Sequence, residues 1–288
     1  MKWLLPEFIE DILPAEAMRI ETLRRRILDL FFSRNYELVM PPLLEYVDSL
    51  LTGTGHDLDL QTFKLVDQLS GRMLGVRADI APQVARIDAH LLNRNGVTRL
   101  CYAGSVLHTL PDGMSRTREP LQIGAEIDGH GGIESDVEIQ RLMMRALDAA
   151  GLGRVYLDIG HVGIFRSLVR RARIGHELES ELFRAMQMKD LPALRELARG
   201  LPRMTREALA ALPELYGGAE VLKAAKTRLP LHDEVLGALR DLQALSDGLR
   251  DVASIRCFDL AELRGYHYHS GVVFAAYIQG QPYAIGQG

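Results

Sequence analysis

In the segment LQIGAEID, residues 121–128, the alternate positions Gln122, Gly124, Glu126 and Asp128 set an amide, a bare backbone and two carboxylates along one face of an extended strand. Carboxylates so placed receive an ammonium group, and an amide beside them hydrogen bonds a polar side chain, so the row suits a small zwitterionic ligand. The same spacing describes a strand whose polar face is simply solvated, and spacing alone leaves both readings open. Asp79, ahead of the helical pattern that starts at Ala81-Pro82, is either a helix cap or a further ligand carboxylate. A second chemical stretch is LRGYHYHSGVVF, residues 263–274. As a strand it places Arg264, Tyr266, Tyr268 and Ser270 on one face and Gly265, His267 and His269 on the other. His267 and His269 form an i, i+2 pair with no convincing third ligand, so hydrogen-bonded histidines are expected and a metal is not. No GxSxG, HExxH or activated-cysteine signature supports nucleophilic catalysis.

Several elements must position these groups. The polar row returns from a hairpin spanning 99–128, entered along Leu100, Tyr102 and Val106, turned at Pro111-Asp112-Gly113, and closed by the alternating Leu121, Ile123, Ala125 and Ile127. Ahead of it, Ile20, Leu23, Ile27, Leu28, Leu30 and Phe31 make the apolar stripe of a helix over 14–33. Pro41-Pro42 then suits an edge strand or an interface. Thr52 to Gly55 predicts a turn, since no GK[ST] follows to make a phosphate loop. Segments 63–66 and 73–77 form a hairpin closed by Ser70-Gly71, and a helix runs from 79 to 93. After the polar row come a helix over 134–150 and a strand over 154–159. From about 177 to 249 the apolar residues are nearly all Leu or Ala, and Pro192, Pro202, Pro213 and Pro230 divide short amphipathic helices. Strand patterns resume over 255–260 and 266–278 and end in a short strand over 283–285. The class is α+β: an antiparallel sheet flanked by helices, in which 1–175 form the first part of a core, 176–250 an inserted helical module and 251–288 the returning strands.

Composition bounds the function. The 288 residues are 47% hydrophobic, and 34 basic against 38 acidic side chains leave a net charge of -4, no global field for nucleic acid. The arginines at 24–26 and at 170, 171 and 173 lie on helical patterns as solvated faces. No apolar run reaches membrane-spanning length, and Pro6 with three acids interrupts the beginning of the chain before a signal sequence can form. Cys101 and Cys257 stand alone in apolar contexts, as buried thiols of a cytoplasmic protein.

Four stretches carry a family resemblance: 8–14 (FIEDILP), 77–86 (RADIAPQVAR), 122–126 (QIGAE) and 264–274 (RGYHYHSGVVF), of which the second and fourth are specific. On them the chain resembles the catalytic core of class II histidyl-tRNA synthetases, and more closely their paralogues, the regulatory subunits of ATP phosphoribosyltransferase. The resemblance implies a class II aminoacyl-tRNA synthetase-like sheet with a helical insertion. It implies a histidine pocket at Asp79, Gln122, Glu126, Arg264 and Tyr268, which agrees with the ammonium-and-amide row. The synthetases carry Arg-His-Glu near the hairpin turn to hold ATP, where this chain has Leu107-His108-Thr109. An isobutyl group cannot replace a bidentate phosphate clamp, so adenylate formation is not expected and no catalytic residue is assigned. The relatives continue past Gly288 through a Gly-Gly-Arg-Tyr stretch, a strand and a helix, so the end of the core is expected to be missing here. The implied role is a non-catalytic subunit without cofactor, self-paired and assembled with a short-form phosphoribosyltransferase, through which histidine inhibits the first step of histidine biosynthesis; no tRNA and no membrane is expected. A histidine-activating enzyme is the competing reading.

Overall fold

The computed structural model describes residues 3–52, 56–111, 117–252, 254–266 and 269–288, and the chain divides into two compact units at Leu152 and Gly153. The expected turns at Gly53–Gly55 and Asp112–Gly113 lie outside the described residues.

The first unit opens with helix α1 (Pro14–Phe32), whose Pro14 occupies the first turn where its missing N–H leaves nothing unsatisfied. Strands β1 (Glu37–Leu38) and β2 (Leu44–Tyr46), short helices α2 (Val47–Leu50) and α3 (His56–Gln61), and strands β3 (Phe63–Val66) and β4 (Met73–Val76) follow. Helix α4 (Ala81–Ile87) runs into a π turn over Asp88–Leu92, and left-handed Asn93 ends it with φ 44°. The predicted helix over 79–93 is therefore two helical forms, and Asp79 lies just outside it. Strands β5 (Thr98–Ser105) and β6 (Leu121–Asp128) and helix α5 (Ile133–Ala149) complete the unit. Its two sheets are ordered β1-β5-β6 and β2-β4-β3, antiparallel as expected except that the two-residue β1 pairs with β5 in parallel.

Antiparallel pairing of β5 with β6 sets Tyr102 opposite Gly124 and Leu100 opposite Glu126, so these apolar residues share the polar row's face. Sequence alternation had grouped Leu100 and Tyr102 with Ile123 and Ala125. Instead Ile123, Ala125 and Ile127 pack with Cys101 against Leu28, Phe31, Tyr36 and Leu142 of one cluster. Leu100 and Tyr102 join Ile80, Val84 and Val106 in another, beneath α4. The polar row is consequently half-sheltered, not a freely solvated face.

In the second unit strand β7 (Val155–His161) leads to helices α6 (Val162–Arg171), α7 (His176–Gln187), α8 (Leu191–Leu197) and α9 (Arg203–Ala211), strand β8 (Tyr216–Gly217), and helices α10 (Glu220–Arg228) and α11 (Asp233–Gly248). Strands β9 (Ser254–Asp259), β10 (Val272–Ile278) and β11 (Gly286–Gln287) return. The sheet order is β11-β10-β7-β9-β8, so β7, which precedes the helical stretch, is flanked by two strands that follow it, β10 antiparallel and β9 parallel. Leu157 and Ile159 of β7, Phe165 of α6 and Leu242 of α11 are fully buried in this unit's core. The last strand falls at 286–287, not at the predicted 283–285, where only Ile285 N–H bonds back to Ala276.

Where a strand is predicted through 264–270, the described residues 264–266 and 269–270 form none and turn instead. Gly265 adopts φ 63°, Tyr266 N–H bonds to Leu263 O, and His269 N–H returns to Gly265 O at 2.7 Å. Arg166 gathers the carbonyls of Tyr266 and His269 with one guanidinium nitrogen. On an extended strand those residues would stand about 10 Å apart. Backbone carbonyls drawn to one cation thus override an alternating pattern, and the proposed two-faced array of Arg264, Tyr266 and Ser270 does not form.

Candidate functional site

In the first unit the polar row meets the beginning of α4. Gln122 donates through Nε2 to Asp79 Oδ1 at 2.7 Å, while its Oε1 accepts the Ile80 N–H at 3.0 Å. Asp79 Oδ1 also accepts the Ala81 N–H at 3.1 Å. Asp79 therefore receives a first-turn helix donor while standing beside the row, although the N-cap position itself is Ile80. Both ends of the Gln122 amide are engaged within the protein, so it sets Asp79 in place.

Glu126 lies four residues beyond Gln122, and Tyr102 Oη donates to its Oε1 at 3.2 Å. The carboxyl keeps some surface, yet burial pushes its pKa up to about 7; Tyr102 opposes that rise, and Asp79 and Asp128 add to it by like charge. Gly124 between them is required: a Cβ there would meet the Tyr102 Cζ and Oη at 2.3 Å. Asp128 is also raised, first by burial and then by Asp88, and its Oδ2 has no partner among the described residues.

The hairpin is braced by Arg77, which is buried with no carboxylate partner among the described residues. Its Nε donates to Ser105 O at 2.9 Å and a terminal nitrogen to Pro41 O at 2.8 Å, and burial lowers its pKa. Its own carbonyl accepts the Leu107 N–H at 3.0 Å. Beyond, Thr109 Oγ1 donates to Leu60 O at 2.7 Å. The neighbouring Arg118 donates from Nε to His108 O at 3.0 Å and lies 4.8 Å from the Phe63 ring centroid. His108 Nε2 is 2.9 Å from the Ala78 carbonyl and donates there, while its buried Nδ1 has no partner among the described residues. Arg118, a described cation of this loop, is thus committed to protein groups and does not restore the clamp absent at Leu107; Arg116 lies outside the described residues.

Of the five candidate site residues, Asp79, Gln122 and Glu126 come together in this unit. Arg264 belongs to the second, where it donates to Tyr277 Oη at 3.0 Å, approaches Glu262 Oε2 at 3.9 Å, and keeps one buried terminal nitrogen without a partner among the described residues. Asp158 there is raised by burial and by Asp259 and Glu262. Tyr268 and His267 lie outside the described residues. Sequence reading missed Tyr102 and His108 as site neighbours; strand pairing alone could have found Tyr102, because it stands opposite Gly124.

Comparison with known proteins fits this architecture. The profile of the family described as Histidyl-tRNA synthetase matches residues 8–288. An ATP phosphoribosyltransferase regulatory subunit of Methylobacillus flagellatus is 60% identical over 286 residues, 99% of this chain and 74% of that protein. The chain belongs to the ATP phosphoribosyltransferase regulatory subunit family, on the histidyl-tRNA synthetase fold. Among solved structures, an ATP phosphoribosyltransferase regulatory subunit/histidyl-tRNA synthetase from Bacillus halodurans superimposes with a TM-score of 0.88 at 26% identity, over 100% of this chain and 76% of that one. A chain of the Thermotoga maritima ATP phosphoribosyl transferase (HisG:HisZ) complex shares the fold, with a TM-score of 0.66 at 17% identity, over 94% of this chain and 89% of that one. This regulatory-subunit chain spans about three quarters of the length of its curated relatives. None of its described helices is long and apolar enough to cross a membrane.

Proposed function

We propose that this chain is a histidine-responsive regulatory subunit of an ATP phosphoribosyltransferase, with catalysis in a separate short-form partner. It works in the cytoplasm, without cofactor and without tRNA, paired with itself inside a hetero-oligomer. The observation that carries the ligand reading is the Glu126 carboxyl, whose charged neighbours Asp79 and Asp128 are both negative. A site with acceptors and no cation is completed by a ligand that brings positive charge, as histidine does through its ammonium and imidazole groups. Arg264 and Tyr268 remain histidine-binding candidates by family resemblance alone.

Self-pairing is supported by the surface of the first unit. Phe31 and Tyr36 are consumed by the core, whereas Met40 is 74% exposed, Leu43 49% and Phe32 44%. Apolar side chains gathered in so short a span suit a two-fold contact. Regulation then amounts to a coupling of about 1–3 kcal/mol between histidine binding and the partner's activity.

The test mixes the chain with a short catalytic subunit and follows ATP phosphoribosyltransferase activity with and without histidine. Activity that depends on this chain and falls with histidine is expected. Unchanged activity, with the two proteins eluting separately, would overturn the reading.

A further inference from the structure

We propose that Tyr102 is the positioning residue of the first unit's polar site: its hydroxyl, aimed by a ring wedged against Gly124, fixes the Glu126 carboxyl as the acceptor for a cationic ligand group. The proposal rests on the ligand reading of Glu126 above.

Three observations converge on it. The Tyr102 ring is 4% exposed and lies in the cluster with Ile80, Val84, Leu100 and Val106, so the side chain has no freedom to swing. Its Cζ and Oη come so close to Gly124 that any side chain there would displace the phenol, and Gly124 and Tyr102 are paired across the two strands. The hydroxyl donates to Glu126 Oε1 at 3.2 Å. Glu126 is faced by Tyr102 from β5, by Asp79 from the start of α4 and by Asp128 along its own strand, so Tyr102 is the one donor among these neighbours. Asp79, by contrast, is already held by Gln122 and the Ala81 N–H.

A phenol that donates to a carboxylate favours the ionised form, against burial and two like charges. It leaves Oε2 for the ligand. The phenol itself is held well above its ordinary pKa by burial, then by Glu126 and Asp79, so it stays a donor throughout the pH range in which the carboxyl titrates. Tyr102 therefore acts through Glu126, and its loss should move a titration as well as an affinity.

The test uses the chain with carboxyl-13C-labelled glutamate and follows the Glu126 resonance by NMR from pH 5 to 9, in wild type and in Tyr102→Phe, which keeps the ring. Glu126→Gln assigns the signal. In Tyr102→Phe the midpoint is expected to rise by about half a unit to one unit, the net effect of losing one ordinary hydrogen bond. Calorimetry with histidine should show a larger loss of affinity at pH 7 than at pH 8.5, where the carboxyl is ionised in both proteins. Histidine's own imidazole titrates in this window, so the comparison is always between proteins on the same ligand. If Tyr102→Phe does not fold, 3-fluorotyrosine placed at position 102, a stronger donor, should move the midpoint downward. An unmoved midpoint in a folded variant overturns the proposal. A moved midpoint with no histidine binding in wild type leaves Tyr102 its positioning role and overturns the ligand reading instead.

Discussion

Gln122 and Asp79, 43 positions apart, are joined by a 2.7 Å hydrogen bond from the amide Nε2 to Oδ1. With the Ile80 N–H on its other end, the amide ties strand β6 to the first turn of α4 and fixes the distance between Asp79 and Glu126. Gln122→Glu offers no donor to Asp79 and sets a carboxylate against it. Urea unfolding should show a loss of about 1–3 kcal/mol, the range for leaving one partner of a sheltered pair unsatisfied. Gln122→Ala should lose less, and a Gln122→Glu protein as stable as wild type would remove this tie from the account.

The Glu126 carboxyl carries a pH dependence whose sign follows from its raised pKa. An acid whose folded pKa, about 7, lies above its ordinary value binds a proton more tightly in the folded state. Its contribution to stability is full below about pH 4.3 and is lost as pH rises through 7. Glu126→Gln should therefore be more stable than wild type above pH 7, by up to about 3 kcal/mol less what residual exposure screens, with the gap closing toward pH 4. The same variant should bind histidine at least tenfold more weakly. Parallel stability curves from pH 4 to 8 would contradict the assignment.

Catalytic silence is the third expectation. Thr109 and Arg118 are engaged with protein carbonyls, and position 107 is Leu, so neither wild type nor Leu107→Arg should catalyse histidine-dependent exchange of pyrophosphate into ATP. Grouped active-site residues act together, so one restored arginine should not suffice. Exchange above a buffer blank in either protein would revive the histidine-activating reading.

Arg166 should prove structural in the second unit. Its guanidinium collects the carbonyls of Tyr266 and His269 and lies 4.9 Å from the Tyr266 ring centroid. Arg166→Ala should cost roughly 2–4 kcal/mol, from two charge-assisted bonds and a cation–π contact. Hydrogen exchange should accelerate first in residues 264–271. Equal protection there in variant and wild type would count against the turn being held this way.

For self-pairing, Met40→Glu together with Leu43→Glu places two charges in the exposed apolar span and leaves Phe31 and Tyr36 in the core untouched. Light scattering should give half the wild-type mass with an unchanged far-ultraviolet spectrum. An unchanged mass would move the contact elsewhere.

Much of this was legible in the sequence because the signals are local. The stripe through Ile27, Leu28 and Phe31, Pro14 in the first turn, the alternation along 121–128 and the Ser70-Gly71 turn each depend on neighbours within a few residues, and each element formed where expected. The four motif stretches carried the family in the same local way. What tertiary structure alone decided depends on partners distant in sequence. Alternation tells that Glu126 and Ile127 face opposite ways, but only register against β5 places Tyr102 and Leu100 with the former and Cys101 with the latter cluster. The run from Arg264 to Ser270 alternates like a strand, yet Arg166, about a hundred residues earlier, draws two of its carbonyls to one cation and bends it into a turn. The pKa of Glu126 is likewise a property of burial and of charges brought from Asp79 and Asp128, because desolvation is set by what packs around a group and not by its place in the chain.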